Sequence, residues 1–206
     1  MEITKETSLH LLVTAKCNNN CPLCCNREYN LLEIPVVQVD ELAKAGTLCI
    51  TGGEPLLYFH RVVDLIRDYR YMNGLNVHPK EKNIYIYTSG RSLYPQNYFR
   101  LANKITGFSI GPKSHYDWNT LEYLGCCLKS NEKMRTETKH LNNRLYLFPE
   151  WEQTFRDINK EHPGIFENFE VILRKWQKSF KPAKDSIFRR LPLLFNVDVY
   201  DRDENG

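Results

Sequence analysis

The chain has 206 residues, 42% hydrophobic and 26% charged, with a net charge of +3. That composition supports one folded domain spanning residues 1–206 and excludes a disordered polymer or a disulfide-stapled miniature. The charge is too small to call for an anionic partner by itself, and no apolar run approaches the ~20 residues of a membrane helix.

Taken in chain order, "SLHLLVT" (8–14) reads as a strand ending just before Cys17. "VDELAKAG" (39–46) closes a helix at Gly46, and "TLCIT" (47–51) is a second strand. In 56–72 the residues Leu57, Val62, Leu65, Ile66 and Tyr69 share one helical face. "NIYIYT" (83–88) is a third strand. A helix opened by Pro95 (95–105) follows, then a fourth strand (107–111) and a helix over 116–128. Beyond these, 144–148 reads as a fifth strand, 149–160 and 165–180 as helices, and 191–200 as a sixth strand. Strands alternating with helices imply parallel βαβ units, and six such units make an open or partly closed barrel. In such folds the working residues lie on loops after the strand C-terminal ends.

Two of those loops stand out. The first, "TAKCNNNCPLCCN", places Cys17, Cys21, Cys24 and Cys25 within nine residues. The N-terminus "MEITKETSLH" has neither the basic start nor the apolar run of a secretory signal, so a reducing cytoplasm is the expected setting, where stable disulfides are rare. The total of seven cysteines is odd, with two adjacent pairs, which suits metal better than a disulfide framework. Three closely spaced thiolates suit an iron–sulfur cluster with one iron left open, while all four suit tetrahedral zinc; spacing alone leaves both readings standing. The second loop is "TGGEPLL" (51–57). Gly52 and Gly53 permit a sharp turn or a close approach, and Glu54 sits at a helix start, where its charge is favoured and it can accept a hydrogen bond from an ammonium.

"CNNNCPLC", "TGGEP", "YTSG" and "FSIG", in this order on successive βα units, resemble the radical S-adenosylmethionine (radical SAM) superfamily. The resemblance covers about residues 8–112. It implies a partial (β/α)6 TIM-like barrel, open on one side, and an enzyme that cleaves S-adenosyl-L-methionine reductively to a 5'-deoxyadenosyl radical. Cys17, Cys21 and Cys24 would hold a [4Fe–4S] cluster. Gly52, Gly53 and Glu54 would receive the methionine ammonium, Ser89 and Ser109 the ribose or carboxylate, and Leu23 would lie by the adenine. An external donor such as a flavodoxin or ferredoxin would supply the electron. The family pattern commonly has an aromatic residue where this chain has Leu23, and Cys25 directly follows the third ligand. There is no second cysteine cluster near the C-terminus.

Other residues read more plainly. Cys49 suits a core position, and Cys126 and Cys127 read as helix packing. Tyr85 and Tyr87 alternate on strand three and fill a barrel interior. The six histidines show no ligand spacing, and Arg27 is a candidate partner for a carboxylate. Between Arg174 and Arg190 seven basic residues (Arg174, Lys175, Lys178, Lys181, Lys184, Arg189, Arg190) face one acid, Asp185. Such a run is either a solvated face or a patch for an anionic partner. A short chain with little beyond the barrel suits a large substrate that closes the site itself: a peptide or protein, or a nucleic acid or nucleotide. The competing function is a non-catalytic zinc or iron–sulfur module that docks a partner through residues 174–190.

Overall fold

A computed structural model describes residues 3–21, 24, 30–74, 82–175 and 184–194, with the side chain of Leu32 excepted. Among these residues, seven strands form one sheet: β1 (Ser8–Thr14), β2 (Thr47–Gly52), β3 (Asn83–Thr88), β4 (Gly107–Ile110), β5 (Asn143–Leu147), β6 (Phe169–Leu173) and β7 (Ser186–Arg190). The α-helices that accompany them are α1 (Val39–Lys44), α2 (Phe59–Met72), α3 (Pro95–Ala102), α4 (His115–Ser130), α5 (Glu132–Thr138) and α6 (Glu152–Glu161). The strand order is β6-β5-β4-β3-β2-β1-β7, and every pairing is parallel.

That order defines the architecture. From β1 to β6 each strand is added beside its predecessor in the same direction. Right-handed crossovers then place the connecting helices on one face of the sheet, as in a barrel, rather than on both. β7 lies on the free side of β1, so β6 and β7, consecutive in the chain, border the gap. The result is an α/β partial barrel open on one side, with seven strands where the sequence pattern predicts six.

Strand periodicity sorts the two faces. Leu9, Leu11 and Val13 of β1, Leu48 and Ile50 of β2, Ile84 and Ile86 of β3, and Phe108 and Ile110 of β4 pack with Val62, Ile66, Tyr98 and Trp118 of the helices in one core. The alternate residues face the other way and are more polar. His10 stacks on Phe188 at 4.7 Å and tilts against Tyr87 at 5.3 Å, and the Arg144 guanidinium lies 4.8 Å from the Tyr85 ring centre. Cys49 is buried, and burial pushes its thiol up to about 12. No helix among the described residues is long and apolar enough to cross a membrane.

Strands β1 to β5 and helices α2, α3, α4 and α6 stand where the hydrophobic periodicity puts them, with ends shifted by a few residues. Two expectations are corrected. The helix over 165–180 is absent from its described part, where Phe169–Leu173 is instead the edge strand β6 paired with β5. Ile165, Phe166, Phe169 and Ile172 do recur at helical spacing. However, the Pro163–Gly164 turn precedes them, the β-branched Val171 and Ile172 favour a strand, and β5 offers an open edge. Of the strand expected over 191–200, the described residues 191–194 are not strand: β7 runs over Ser186–Arg190, just before them, and Pro192 lacks the N–H to extend it. Residues 176–180 and 195–200 of these two expectations lie outside the described residues. Helix α5 answers to no predicted element.

Candidate functional site

Because every pairing is parallel, all seven strand C-terminal ends share one edge. The cysteine loop follows β1 there, the Gly52–Glu54 turn ends β2, residues 89–91 follow β3, and residues 111–114 follow β4.

The first two are stitched together through the backbone. Gly53 N donates to Thr14 O at 2.7 Å and Glu54 N to Lys16 O at 2.9 Å. Only glycine fits here. Gly52 has φ +146°, and a Cβ on it would lie 2.3 Å from Thr14 O; a Cβ on Gly53 would lie 2.1 Å from Lys16 O. The two glycines therefore let β2's exit lie directly against the cysteine loop.

Glu54 is wholly buried. Its Oε1 accepts from Leu56 N (3.2 Å) and Thr88 Oγ1 (2.7 Å), and its Oε2 from Ser89 N (2.8 Å) and Ser89 Oγ (2.9 Å). Four donors fill the acceptor sites of one carboxylate. Desolvation still dominates and holds its pKa above the usual carboxylate value, against the lowering effect of those bonds. Ser89 is thereby fixed to the Gly-Gly-Glu turn. Ser109, 2% exposed, lies within β4 on the polar face beside Tyr87, and its Oγ makes no hydrogen bond of normal geometry among the described residues.

Cys17 is exposed, Cys21 buried and Cys24 half-buried. Burial raises the thiol pKa of both Cys17 and Cys21. Cys17 is raised further by Glu54 and Cys24, and Cys21 by Cys17, Cys24 and Asp117, while the Lys113 ammonium lowers both. The three thiols thus lie within electrostatic reach of one another and of one cation. Among the described residues, the group whose three ligand atoms all fall within 4.8 Å of one another is Glu122, Glu161 and His162, not these cysteines. Thiolates on one tetrahedral zinc would be about 3.8 Å apart, from Zn–S bonds of ~2.3 Å. A four-iron cluster, by contrast, takes each thiolate on a separate iron.

Residues that the sequence did not single out complete the site. Asn19 Nδ2 donates to both carboxylate oxygens of Asp117 at 3.0 Å, and Lys113 N donates to Asp117 Oδ2 at 2.8 Å. Arg91 Nη1 donates to Asn18 O at 2.6 Å and to Asn19 Oδ1 at 3.1 Å. Asp117 is fully buried in the first turn of α4, which Ser114 caps and where the helix dipole favours an anion.

The structure thus brings together Cys17, Cys21, Cys24, Gly52, Gly53, Glu54 and Ser89. Ser109 makes no hydrogen bond to this group, and Leu23, Cys25 and Arg27 lie outside the described residues. The described residues of the basic run do not form one stripe. Arg174 follows β6 and lies over the Tyr146 ring at 4.4 Å, whereas Arg189 and Arg190 belong to β7 across the gap, and Arg189 is ion-paired to Glu41 at 2.7 Å. Lys178 and Lys181 are not among the described residues.

No protein-family model matches the chain, and no curated protein matches it significantly. Among solved structures it is similar to native anSMEcpe with bound AdoMet and the Cp18Cys peptide, at 14% identity over 81% of this chain and 50% of that one, TM-score 0.41. It is also similar to BtrN in complex with AdoMet and 2-DOIA (17% identity, 82% of this chain, 56% of that one, TM-score 0.39). Native anSMEcpe with bound AdoMet gives 14% identity, 81% and 51% coverage, and a TM-score of 0.43. The chain spans about half the length of these structures.

Proposed function

We propose that the chain is a radical SAM enzyme: Cys17, Cys21 and Cys24 hold a [4Fe–4S] cluster beside a site for S-adenosyl-L-methionine. The carrying observation is the backbone stitching of the cysteine loop to the Gly52–Glu54 turn. A structural zinc site would have no use for that turn. When bound, the cluster and S-adenosyl-L-methionine together supply the electron transfer and the 5'-deoxyadenosyl radical that removes hydrogen from a substrate.

The chain's own residues bind and orient. Cys21 anchors the buried end of the loop and Cys17 the open end. Because burial raises both thiols, cluster uptake displaces their protons. Gly52 and Gly53 let the turn lie against the cysteine loop, at the strand edge where the methionine ammonium would sit. Glu54, its oxygens already occupied, shapes that turn and fixes Ser89 for a ribose or carboxylate; Ser109 is the deeper candidate, and Leu23 the one beside the adenine. The substrate reading is a peptide or protein, or a nucleic acid or nucleotide, entering from the open side, which Arg174 and Arg190 border at the strand C-terminal edge. The partner supplying electrons would be a flavodoxin or ferredoxin, in the cytoplasm.

The test is anaerobic reconstitution with iron and sulfide. A brown protein with about four irons per chain and saturable S-adenosyl-L-methionine binding is expected. Alanine at Cys17, Cys21 or Cys24 removes the cluster, and alanine at Cys25 leaves it. A colourless protein holding one zinc per chain would establish the metal-module alternative instead.

A further inference from the structure

We infer that Arg91 and Asp117 form a clamp that holds the cysteine loop in its ligating shape, acting as positioning residues through Asn19. The inference rests on the reading above that this loop carries a cluster.

The clamp has two jaws from different βα loops. Arg91, after β3, grips Asn18 O and Asn19 Oδ1; Asp117, at the start of α4, takes Asn19 Nδ2 on both carboxylate oxygens. Both jaws are held in turn. Arg91 N donates to Ser89 Oγ at 3.3 Å, its carbonyl accepts from Thr120 Oγ1 at 3.3 Å, and its guanidinium lies 4.8 Å from the Tyr116 ring centre. Asp117 accepts from the Lys113 backbone, and its own N–H bonds Ser114 Oγ.

The contacts also close a circuit. Glu54 N holds Lys16 O, Glu54 Oε2 holds Ser89, Ser89 Oγ holds Arg91 N, and Arg91 holds Asn18 and Asn19. Lys16 and Asn18 are the two neighbours of Cys17. The exposed ligand is therefore pinned on both sides by protein contacts alone, and Asn19 N–H reaches Cys17 Sγ at 3.4 Å. Preorganisation of this kind spares the loop part of its ordering cost on binding.

The polarity of the Asn19 amide is what makes the clamp specific. Its oxygen faces a cation that only donates, and its nitrogen faces a carboxylate that only accepts. Asp117→Asn breaks this, because the amide introduced there must spend its oxygen on Lys113 N and turn an NH2 toward Asn19 Nδ2. Asn19→Asp sets two carboxylates against each other. The double variant Asn19→Asp/Asp117→Asn restores the bond to Arg91 and one of the two contacts between positions 19 and 117: the new carboxylate accepts from Arg91 and from the new amide, whose oxygen still accepts from Lys113 N.

The experiment reconstitutes parent, Asn19→Asp, Asp117→Asn and the double variant, then follows iron loss to excess EDTA by the decay of the cluster absorbance. Each single variant should lose iron about tenfold faster or more, as expected for a charged hydrogen bond, and the double variant should lose it clearly more slowly than either single. The low-temperature electron paramagnetic resonance line of the reduced cluster should broaden in the single variants and sharpen again in the double. Single variants that match the parent, or a double variant as fast as the worse single, would overturn the clamp while leaving the cluster assignment intact. A parent that takes up no cluster would overturn the proposed function and the clamp with it.

Discussion

Glu54 and Ser89, 35 residues apart, are joined twice, with the serine N–H and hydroxyl both donating to Oε2 at 2.8 and 2.9 Å. The bond pair ties the exit of β3 to the exit of β2, and the β2 exit is itself tied to the cysteine loop. Glu54 thus works as an internal strut between three strand ends.

Removing the strut should be costly. Glu54→Ala leaves Thr88 Oγ1, Ser89 N, Ser89 Oγ and Leu56 N without their acceptor in a buried place. Unsatisfied buried groups cost ~1–3 kcal/mol each, partly offset because the variant no longer buries a carboxylate, so a net loss of roughly 3–5 kcal/mol is expected in urea unfolding of the apo-protein. The sign with pH follows from the raised carboxyl pKa. The folded state binds this proton more tightly than the unfolded state, so the parent loses stability as pH rises from 4.5 through the folded pKa, and Glu54→Ala removes that contribution. A variant as stable as the parent would show that the strut bears no load.

Gly53→Ala tests the stitching with one methyl group. The added Cβ falls 2.1 Å from Lys16 O, so either the turn or the cysteine loop must move. Roughly 1–3 kcal/mol of destabilisation is expected, a melting shift of several degrees in a chain of this size. After reconstitution, iron content should also fall. Unchanged melting and full iron would mean that the loop yields without consequence.

How much of this was legible in the sequence depends on the distance over which each signal acts. β1 to β4 carry their alternation within seven residues or fewer, and Gly52–Gly53–Glu54 announces itself as a turn. The 165–180 segment misleads because Ile165, Phe166, Phe169 and Ile172 fit a helical stripe; the deciding facts, a Pro-Gly turn and the vacant edge of β5, are partly tertiary. Asp117 and Arg91 had no local signal at all. An Asp in the first turn of a helix is ordinary, and its partner Asn19 lies 98 residues away. The three asparagines between Cys17 and Cys21 suit a tight turn by residue type, but only the fold shows which of them is held. Glu54 was identified from its motif, yet its saturation by Thr88 and Ser89 appears only once β2 and β3 lie side by side.

His10 supplies a pH test remote from the cysteines. Stacked on Phe188 and tilted against Tyr87, its imidazole is driven by burial from 6.5 down to about 4. The fold therefore favours the neutral ring. Its contribution is fully present above pH 6.5 and is lost as pH falls toward 4, by roughly 2–3 kcal/mol across that window. Chemical denaturation of parent and His10→Phe at about pH 7.5, 6 and 5 checks this. The parent should weaken more steeply than the variant, and parallel curves would contradict the burial of the ring.

The Glu41–Arg189 pair decides what the basic run does. Arg189 Nε and Nη2 meet the Glu41 carboxylate at 2.7–3.0 Å, tying β7 to α1, and Glu41 also accepts from Gln38 N in the capping box of α1. Both side chains are largely sheltered, so the pair outweighs an ordinary surface bridge, and breaking it should cost about 1–3 kcal/mol. The arginine's hydrogen bonds hold the Glu41 carboxyl below its usual 4.5. The pair's stabilisation is therefore present above pH 4.5 and is lost as pH falls through the folded pKa. Arg189→Met should remove that acid-side slope and lower the melting temperature at neutral pH. Arg174 and Lys184 are exposed; reversal to Glu should leave melting almost unchanged at Lys184 and cost at most ~0.5–1 kcal/mol at Arg174, from its contact with the Tyr146 ring. If the basic residues recruit an anionic substrate, Arg174→Glu/Lys184→Glu should weaken its binding most at low salt, because phosphate contacts release counterions. An Arg189→Met variant that melts like the parent and loses only substrate binding would reverse this assignment of roles.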